Sequence, residues 1–250
     1  MKRKFTIIIP ARYNSSRLPG KPLIKILGIP MLLRTYNQCL KVASREQIIV
    51  ATDDKRILKL CKNNYMNCVI TSKKCLTGTD RVAEVSKKIK SDIYINVQGD
   101  EPLCDVNDIK KLIKISKKYP NRIINGYTKI TDKRLFLSKN IPKVVFRKDG
   151  RLLYQSRSPI PIDKKGNFSY AWRQVCIYAF PYKALKIFSK LKKKTKLENI
   201  EDIELIRFLE LGFEIYMIKM SNNSISVDTK EDLSKVVKKL KSEKNKFTNI

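Results

Sequence analysis

Between residues 5 and 118 the chain keeps changing its hydrophobic period. Phe5-Thr-Ile-Ile-Ile9 is a short apolar, β-branched run stopped by Pro10, as expected of a strand covered on both faces. Similar runs predict strands at 47–51, 67–70 and 93–97. Between and after them, 31–44, 54–63, 80–89 and 105–118 read as helices, the first with Leu33, Tyr36, Leu40 and Ala43 at helical spacing. Strands alternating with such helices build βαβ units, and therefore a mostly parallel sheet with helices on both faces. The expected class is α/β, a three-layer Rossmann-like fold.

The order changes after about residue 120. Strands are predicted at 122–130, 143–147 and 173–180, and 155–170 is irregular, with Pro159, Pro161 and Gly166. A helix at 198–211, a strand at 214–218 and a closing helix at 230–241 follow, and 248–250 is expected to fray. No low-complexity linker or internal repeat divides the chain. Residues 1–250 are expected to form a single domain, with a more antiparallel section inserted at about 122–200.

The chain has no histidine. Mechanisms built on a His base, nucleophile or zinc ligand are excluded, which leaves carboxylate, Lys, Tyr and Cys for proton and metal work. Its six cysteines (Cys39, Cys61, Cys68, Cys75, Cys104 and Cys176) include no CxxC pair. The spacing suits neither a zinc site nor a small disulfide scaffold. Met1-Lys-Arg-Lys4 has the charge of a signal-peptide start, but the apolar run behind it is short and meets Pro10 and Arg12. No apolar run is long enough to span a membrane. A soluble, cytoplasmic protein with reduced thiols and no membrane insertion is expected.

The net charge is +31, carried by 40 Lys against 14 Arg. Lys-rich charge scattered along a chain reads first as a solvated surface; a polyanion-binding face is the alternative. No RNP, KH-type or zinc-finger pattern is present, and the aromatic residues are not interleaved with the Lys clusters. Nucleic acid is therefore not expected as a partner.

Ligands of open α/β sheets bind beyond the carboxyl ends of the strands. The segment 10–22 follows the first strand and holds Arg12, Arg17 and Lys21 among small residues. Cations and exposed N–H groups of this kind suit a triphosphate, although no GxxxxGK[ST] or GxGxxG pattern is present. Asn96-Val-Gln-Gly-Asp-Glu-Pro102 follows the strand at 93–97. Asp100 there is a candidate Mg²⁺ ligand, and Gly99 would let the backbone approach a nucleotide; a simple turn is the alternative. In Ser226-Val-Asp-Thr-Lys-Glu-Asp-Leu233, Asp228 is either a second metal carboxylate or a residue of a helix start, with Thr229 and Asp232 as a capping box. Thr77-Gly-Thr79 opens a helix, and either donates N–H bonds to a ligand or is capped by Thr79.

In chain order, PARYNSSRLPGKPL at 10–23, IIVATDD at 48–54, TGTDRVAEV at 77–85, YINVQGDEP at 94–102, LYQSRSPIP at 153–161 and SVDTKEDL at 226–233 resemble the CMP-Kdo synthetases (3-deoxy-manno-octulosonate cytidylyltransferases). The resemblance implies a nucleotide-diphospho-sugar transferase fold, and a homodimer built partly on the inserted section. It implies transfer of a cytidylyl group from CTP to a 3-deoxy-2-ulosonic acid, Kdo above all, with release of pyrophosphate and with Mg²⁺ as cofactor, in lipopolysaccharide or capsule biosynthesis. Arg12, Lys21 and Asp100 would be catalytic. Ala11, Arg12, Arg17, Lys21, Thr77, Gly78 and Gln98 would bind the nucleotide, Gln98 at the base edge. Asp100 and Asp228 would hold the metal. Arg157, Gln174, Tyr178 and Glu204 would face the sugar, Arg157 clamping its carboxylate.

The chain departs from that pattern in four places. Gln174 stands where a His is usual, Cys176 where a Gly is usual, Leu205 where a Gln is usual, and Ser226 where a Gly is usual. The nucleotide and metal positions are intact, and the changes are expected on the sugar side, where they would alter discrimination among hydroxylated sugars and admit a related ulosonate, such as an amino-substituted one.

Overall fold

The computed structural model describes residues 3–15 and 17–247; the fraying expected at 248–250 falls outside them. The first half holds β1 (Arg3–Pro10), the short hairpin β2 (Lys25–Ile26) and β3 (Ile29–Pro30), α1 (Met31–Leu40), β4 (Ile48–Thr52), α2 (Lys55–Asn63), β5 (Cys68–Ile70), α3 (Gly78–Lys88), β6 (Ser91–Val97) and α4 (Val106–Lys118). The second holds β7 (Ile123–Ile130), α5 (Lys133–Leu137), β8 (Lys143–Phe146), β9 (Leu152–Ser156), β10 (Ala171–Pro181), α6 (Tyr182–Phe188), α7 (Lys196–Glu201), α8 (Leu205–Glu210), β11 (Ile215–Lys219) and α9 (Lys230–Phe247).

The main sheet runs in the order β11-β7-β10-β6-β1-β4-β5, with β8 joined to β10 and β9 to β8. β1 pairs in parallel with β4 and β6, β4 with β5, and β11 with β7. β10 is antiparallel to both β6 and β7, and the β8–β9 ribbon is antiparallel throughout. The mostly parallel sheet with a more antiparallel insertion is therefore as expected.

Alternation along β1 explains the three layers. Ile7 and Ile9 pack with Leu32, Tyr36, Ile57 and Ile109 on one face, while Ile8 packs with Val82, Val85, Phe188 and Phe208 on the other. Full burial of such side chains stabilises by about 1.5–3 kcal/mol each. A smaller cluster joins Leu18 of the 10–22 loop to Val227 and to Val236 of α9, so the closing helix pins the loop at its middle.

Three local expectations need correction. The helix expected at 198–211 is two helices, broken at Asp202, whose φ of 50° is left-handed. The α3 cap is Thr77 rather than Thr79: Thr77 accepts from the Asp80 backbone while Asp80 accepts from Thr77. Gly99 lines a cavity, and a Cβ there would stand 2.9 Å from the Pro10 carbonyl oxygen, so glycine also lets the two strand ends come together. Leu205 is fully buried in the apolar layer over β10 and lies away from any sugar pocket. The capping box at Thr229 and Asp232 is as expected.

One buried charge fastens α8 to the start of α3. Arg207 forks both oxygens of Glu198 at 2.6 Å, reaches Asp80 at 2.9 Å and lies over the Phe188 ring at 3.9 Å. Arg207 and Glu198 have no exposed surface. Removing one partner of such a cluster leaves buried charge uncompensated. Arg207→Met should cost about 3–5 kcal/mol in urea unfolding, and adding Glu198→Leu should recover part of it. A loss within about 1 kcal/mol would mean that the cluster contributes little.

Candidate active site

A cavity opens where β1, β6 and β10 meet the start of α3, and it is lined by all thirteen residues the sequence nominated. Ala11 is anchored by its N–H to the Ala51 carbonyl at 2.8 Å. Beyond it the loop carries Arg12 and Arg17, both exposed, past Gly20 at φ 67° into a 3-10 turn, Lys21–Leu23. Tyr13 braces the loop. A Cβ on Gly20 would stand 3.2 Å from the Tyr13 ring, and the Arg56 guanidinium lies over that ring at 3.2 Å. Arg56 in turn is forked by Asp54, the N-cap of α2.

Lys21 is the electrostatic centre. Its Nζ lies 2.5 Å from Asp100 Oδ2 and 3.1 Å from Asp228 Oδ1, and Arg17 reaches Asp228 at 3.0 Å. Burial pulls the Lys21 pKa down, but attraction to Asp100 and Asp228 outweighs it and the net direction is up. The two carboxylates converge because the Val227 N–H donates to the Asp100 carbonyl at 3.0 Å, tying the start of α9 to the end of β6. Two carboxylates gathered on one cation form a hard-oxygen pair that suits Mg²⁺, which commonly takes one or two carboxylates and completes its shell with water and phosphate. Among the described residues no cluster of three or more metal-binding side chains occurs.

Thr77 and Gly78 form the adjoining wall. A Cβ on Gly78 would stand 2.9 Å from Gln98 Nε2, so glycine makes room for that amide. Glu204 draws the wall together: it accepts from the Thr79 N–H at 2.9 Å and from Gln98 Nε2 at 3.2 Å. Burial raises its pKa.

On β10, Gln174, Cys176 and Tyr178 point into the cavity and Val175 and Ile177 into the core. Burial pushes the Cys176 thiol and the Tyr178 phenol up, so both stay protonated. Arg157 lines the cavity, but three of its donors go to main-chain carbonyls: Glu201 at 2.7 Å, Lys139 at 2.9 Å and Asp202 at 2.9 Å. An Arg has five N–H groups, so the fork expected to clamp a sugar carboxylate is mostly committed to the loop. Asn140 and Asp202 also line the cavity, and nothing in their surroundings in the sequence marked them.

Behind Asp100, Glu101 is buried and accepts from Ser224 Oγ at 2.8 Å. Arg173 donates to Asn222 and to the Ser224 carbonyl. Burial, aided by Asp100, raises the Glu101 pKa to about 7. A carboxyl raised above its unfolded value holds its proton in the folded state where the unfolded chain has lost it. Stability should therefore fall as pH rises from about 4.5 to about 7. Glu101→Gln should remove roughly 3 kcal/mol of that slope at most, read as urea-unfolding stability at pH 5 and pH 8. An unchanged slope would show that Glu101 is ionised in the folded chain at both pH values.

Residues 6–219 match the family model described as cytidylyltransferase. The chain is 39% identical over 249 residues to the 3-deoxy-manno-octulosonate cytidylyltransferase of Geobacter metallireducens, covering 95% of this chain and 98% of that one. It is 39% identical over 234 residues to the enzyme of the same name from Chlamydia pneumoniae, covering 92% and 91%. A solved structure of CMP:2-keto-3-deoxy-manno-octonic acid synthetase complexed with CTP superposes with a TM-score of 0.88 at 34% identity, covering 96% of this chain and 99% of that one. With its fold and its sequence both aligned on these proteins, the chain belongs to the cytidylyltransferase family and, within it, to the 3-deoxy-manno-octulosonate cytidylyltransferases.

Proposed function

We propose that the chain joins CMP to 3-deoxy-manno-octulosonate (Kdo), using CTP and releasing pyrophosphate. The observation that carries this is the Lys21 ammonium seated between Asp100 and Asp228, at the floor of a cavity with cationic loop residues on one side and polar β10 residues on the other. The anomeric hydroxyl oxygen of the sugar bonds to the α-phosphorus of CTP. The bond from that phosphorus to the bridging oxygen breaks, pyrophosphate leaves with the electron pair, and the hydroxyl proton passes to solvent. Arg12, Arg17 and Lys21 hold the phosphate oxygens and stabilise the charge that grows on the leaving group. Ala11, Thr77 and Gly78 shape the nucleotide side. Gln98 lends its Nε2 to Glu204, which leaves Oε1 to accept from the amino group of cytosine; uracil offers a carbonyl there.

Asp100 and Asp228 would hold Mg²⁺. When bound, the ion supplies positive charge to the phosphate oxygens. Tyr178, Gln174, Glu204 and the remaining Arg157 donors face the sugar. The six cysteines are free thiols, which suits a reducing compartment such as the cytoplasm, and among the described residues no helix is long and apolar enough to cross a membrane.

A homodimer fits the inserted section. Leu137, Leu153, Ile162 and Tyr170 there are 47% exposed or more, and such apolar surface marks an interface. Two measurements test the whole. Pyrophosphate release with CTP and Kdo should fall at least about 100-fold in Asp100→Asn and be far weaker with UTP; equal turnover of UTP would remove Gln98 from the base edge. Light scattering should give twice 29.1 kDa, and Leu137→Asp with Leu153→Asp should halve it.

A further inference from the structure

Beyond the residues that face the sugar, we infer that Asn125 is a positioning residue: it fixes which way the amide of Gln174 is turned, so that Oε1 is held as an acceptor for a sugar hydroxyl. The inference rests on the proposed use of Kdo and adds to it the orientation of one contact.

The argument starts from the backbone of β10. Its register against β7 slips between Val175 and Tyr178: Val175 pairs with Gly126, yet Tyr178 pairs with Asn125, the very next residue of β7. Two extra residues on β10, Cys176 and Ile177, therefore have no counterpart on β7, and the Val175 and Ile177 carbonyls beside this break lose their β7 ladder partners. Buried carbonyls need donors. Asn125 supplies them. It has no exposed surface, and its Nδ2 donates to the Val175 and Ile177 carbonyls at 2.9 Å each.

Chemistry then leaves no choice about the rest. Only the NH₂ end of an amide can serve two carbonyls, so Asn125 turns its Oδ1 the other way. That oxygen accepts from Gln174 Nε2 at 3.2 Å. Gln174 is itself held by its backbone N–H on the Pro142 carbonyl at 3.0 Å. One of the two Nε2 hydrogens of Gln174 is thereby held by Asn125, which fixes the Nε2 end of the amide and leaves Oε1 as the acceptor that Gln174 offers the cavity it lines. A histidine in the same place could exchange donor for acceptor by changing tautomer or charge. An amide held in this way keeps its oxygen where it is.

The test is steady-state pyrophosphate release by the full chain, with Kdo and CTP varied in turn. Gln174→Met keeps the length and removes the acceptor. Its KM for Kdo should rise about tenfold, with KM for CTP within about twofold; the melting temperature should fall, because the buried Asn125 Oδ1 loses its Gln174 donor. Asn125→Ala should raise KM for Kdo similarly, and the double variant should add little, because both act through one contact. Among mono-fluoro analogues of Kdo, which keep the oxygen's approximate size and lose its donor, one should be weakened about tenfold in the unsubstituted enzyme and not at all in Gln174→Met. If Asn125→Ala does not fold, the Gln174→Met and fluoro-sugar results decide the matter alone. An unchanged KM for Kdo in Gln174→Met, or a rise confined to CTP, would overturn this inference and leave cytidylyl transfer standing. No release at all from CTP and Kdo by the unsubstituted enzyme would overturn the parent proposal and this one together.

Discussion

Three stretches of chain far apart in sequence meet on a single ammonium ion. Asp100 ends a central strand, Asp228 precedes the closing helix, and Lys21 sits in a 3-10 turn after the first strand; left alone, the two carboxylates would repel each other. The Lys21 contacts at 2.5 and 3.1 Å remove that repulsion and draw the three stretches into one floor. The rest of the architecture serves this meeting. The doubly covered strands β1 and β6 hold two of the participants rigidly side by side. The cluster of Leu18, Val227 and Val236 keeps the loop and the closing helix from separating.

A second meeting of charges does the same for the walls. Glu204 and Arg207 lie three residues apart at the start of α8, and each takes hold of the beginning of α3: Glu204 through the Thr79 N–H, Arg207 through Asp80. The break at Asp202 makes this possible. A continuous helix over 198–211 would carry the chain past α3 in one direction, whereas the left-handed residue lets α8 restart at a new angle. The walls of the cavity are thus fixed by hydrogen bonds and ion pairs between segments about 125 residues apart, Thr79 and Glu204 among them.

Much of this was legible in the residues. The alternating periods from 5 to 118 foretold the parallel half of the sheet, because apolar β-branched runs and helical spacing are local signals. The loop at 10–22, the segment at 96–102 and the segment at 226–233 stood out as polar stretches at strand ends, and the structure brings them together. What stayed hidden depends on contacts that no short window contains. Leu205 looks like a lost polar side chain until it is seen packed over β10. Arg157 reads as a free cation, yet its fork is taken up by the carbonyls of 139, 201 and 202. Asn125 is one more polar residue in a strand until the register break on β10 gives it the Val175 and Ile177 carbonyls to serve. Thr77 and Thr79 are both good caps by type, and only the return bond from Asp80 chooses between them.

β10 has one further property. Along it, 174, 176 and 178 face the cavity, while 175, 177 and 179 are locked into the apolar layer. Tyr178 also stacks on Phe180, and Cys176 packs against the same apolar layer, so both serve the sheet as well as the lining. Gln174 answers to a polar partner instead, and the cationic loop at 10–22 hangs from another strand altogether. A substitution at 174 can therefore change what the cavity meets while leaving the apolar layers and the cationic loop as they are.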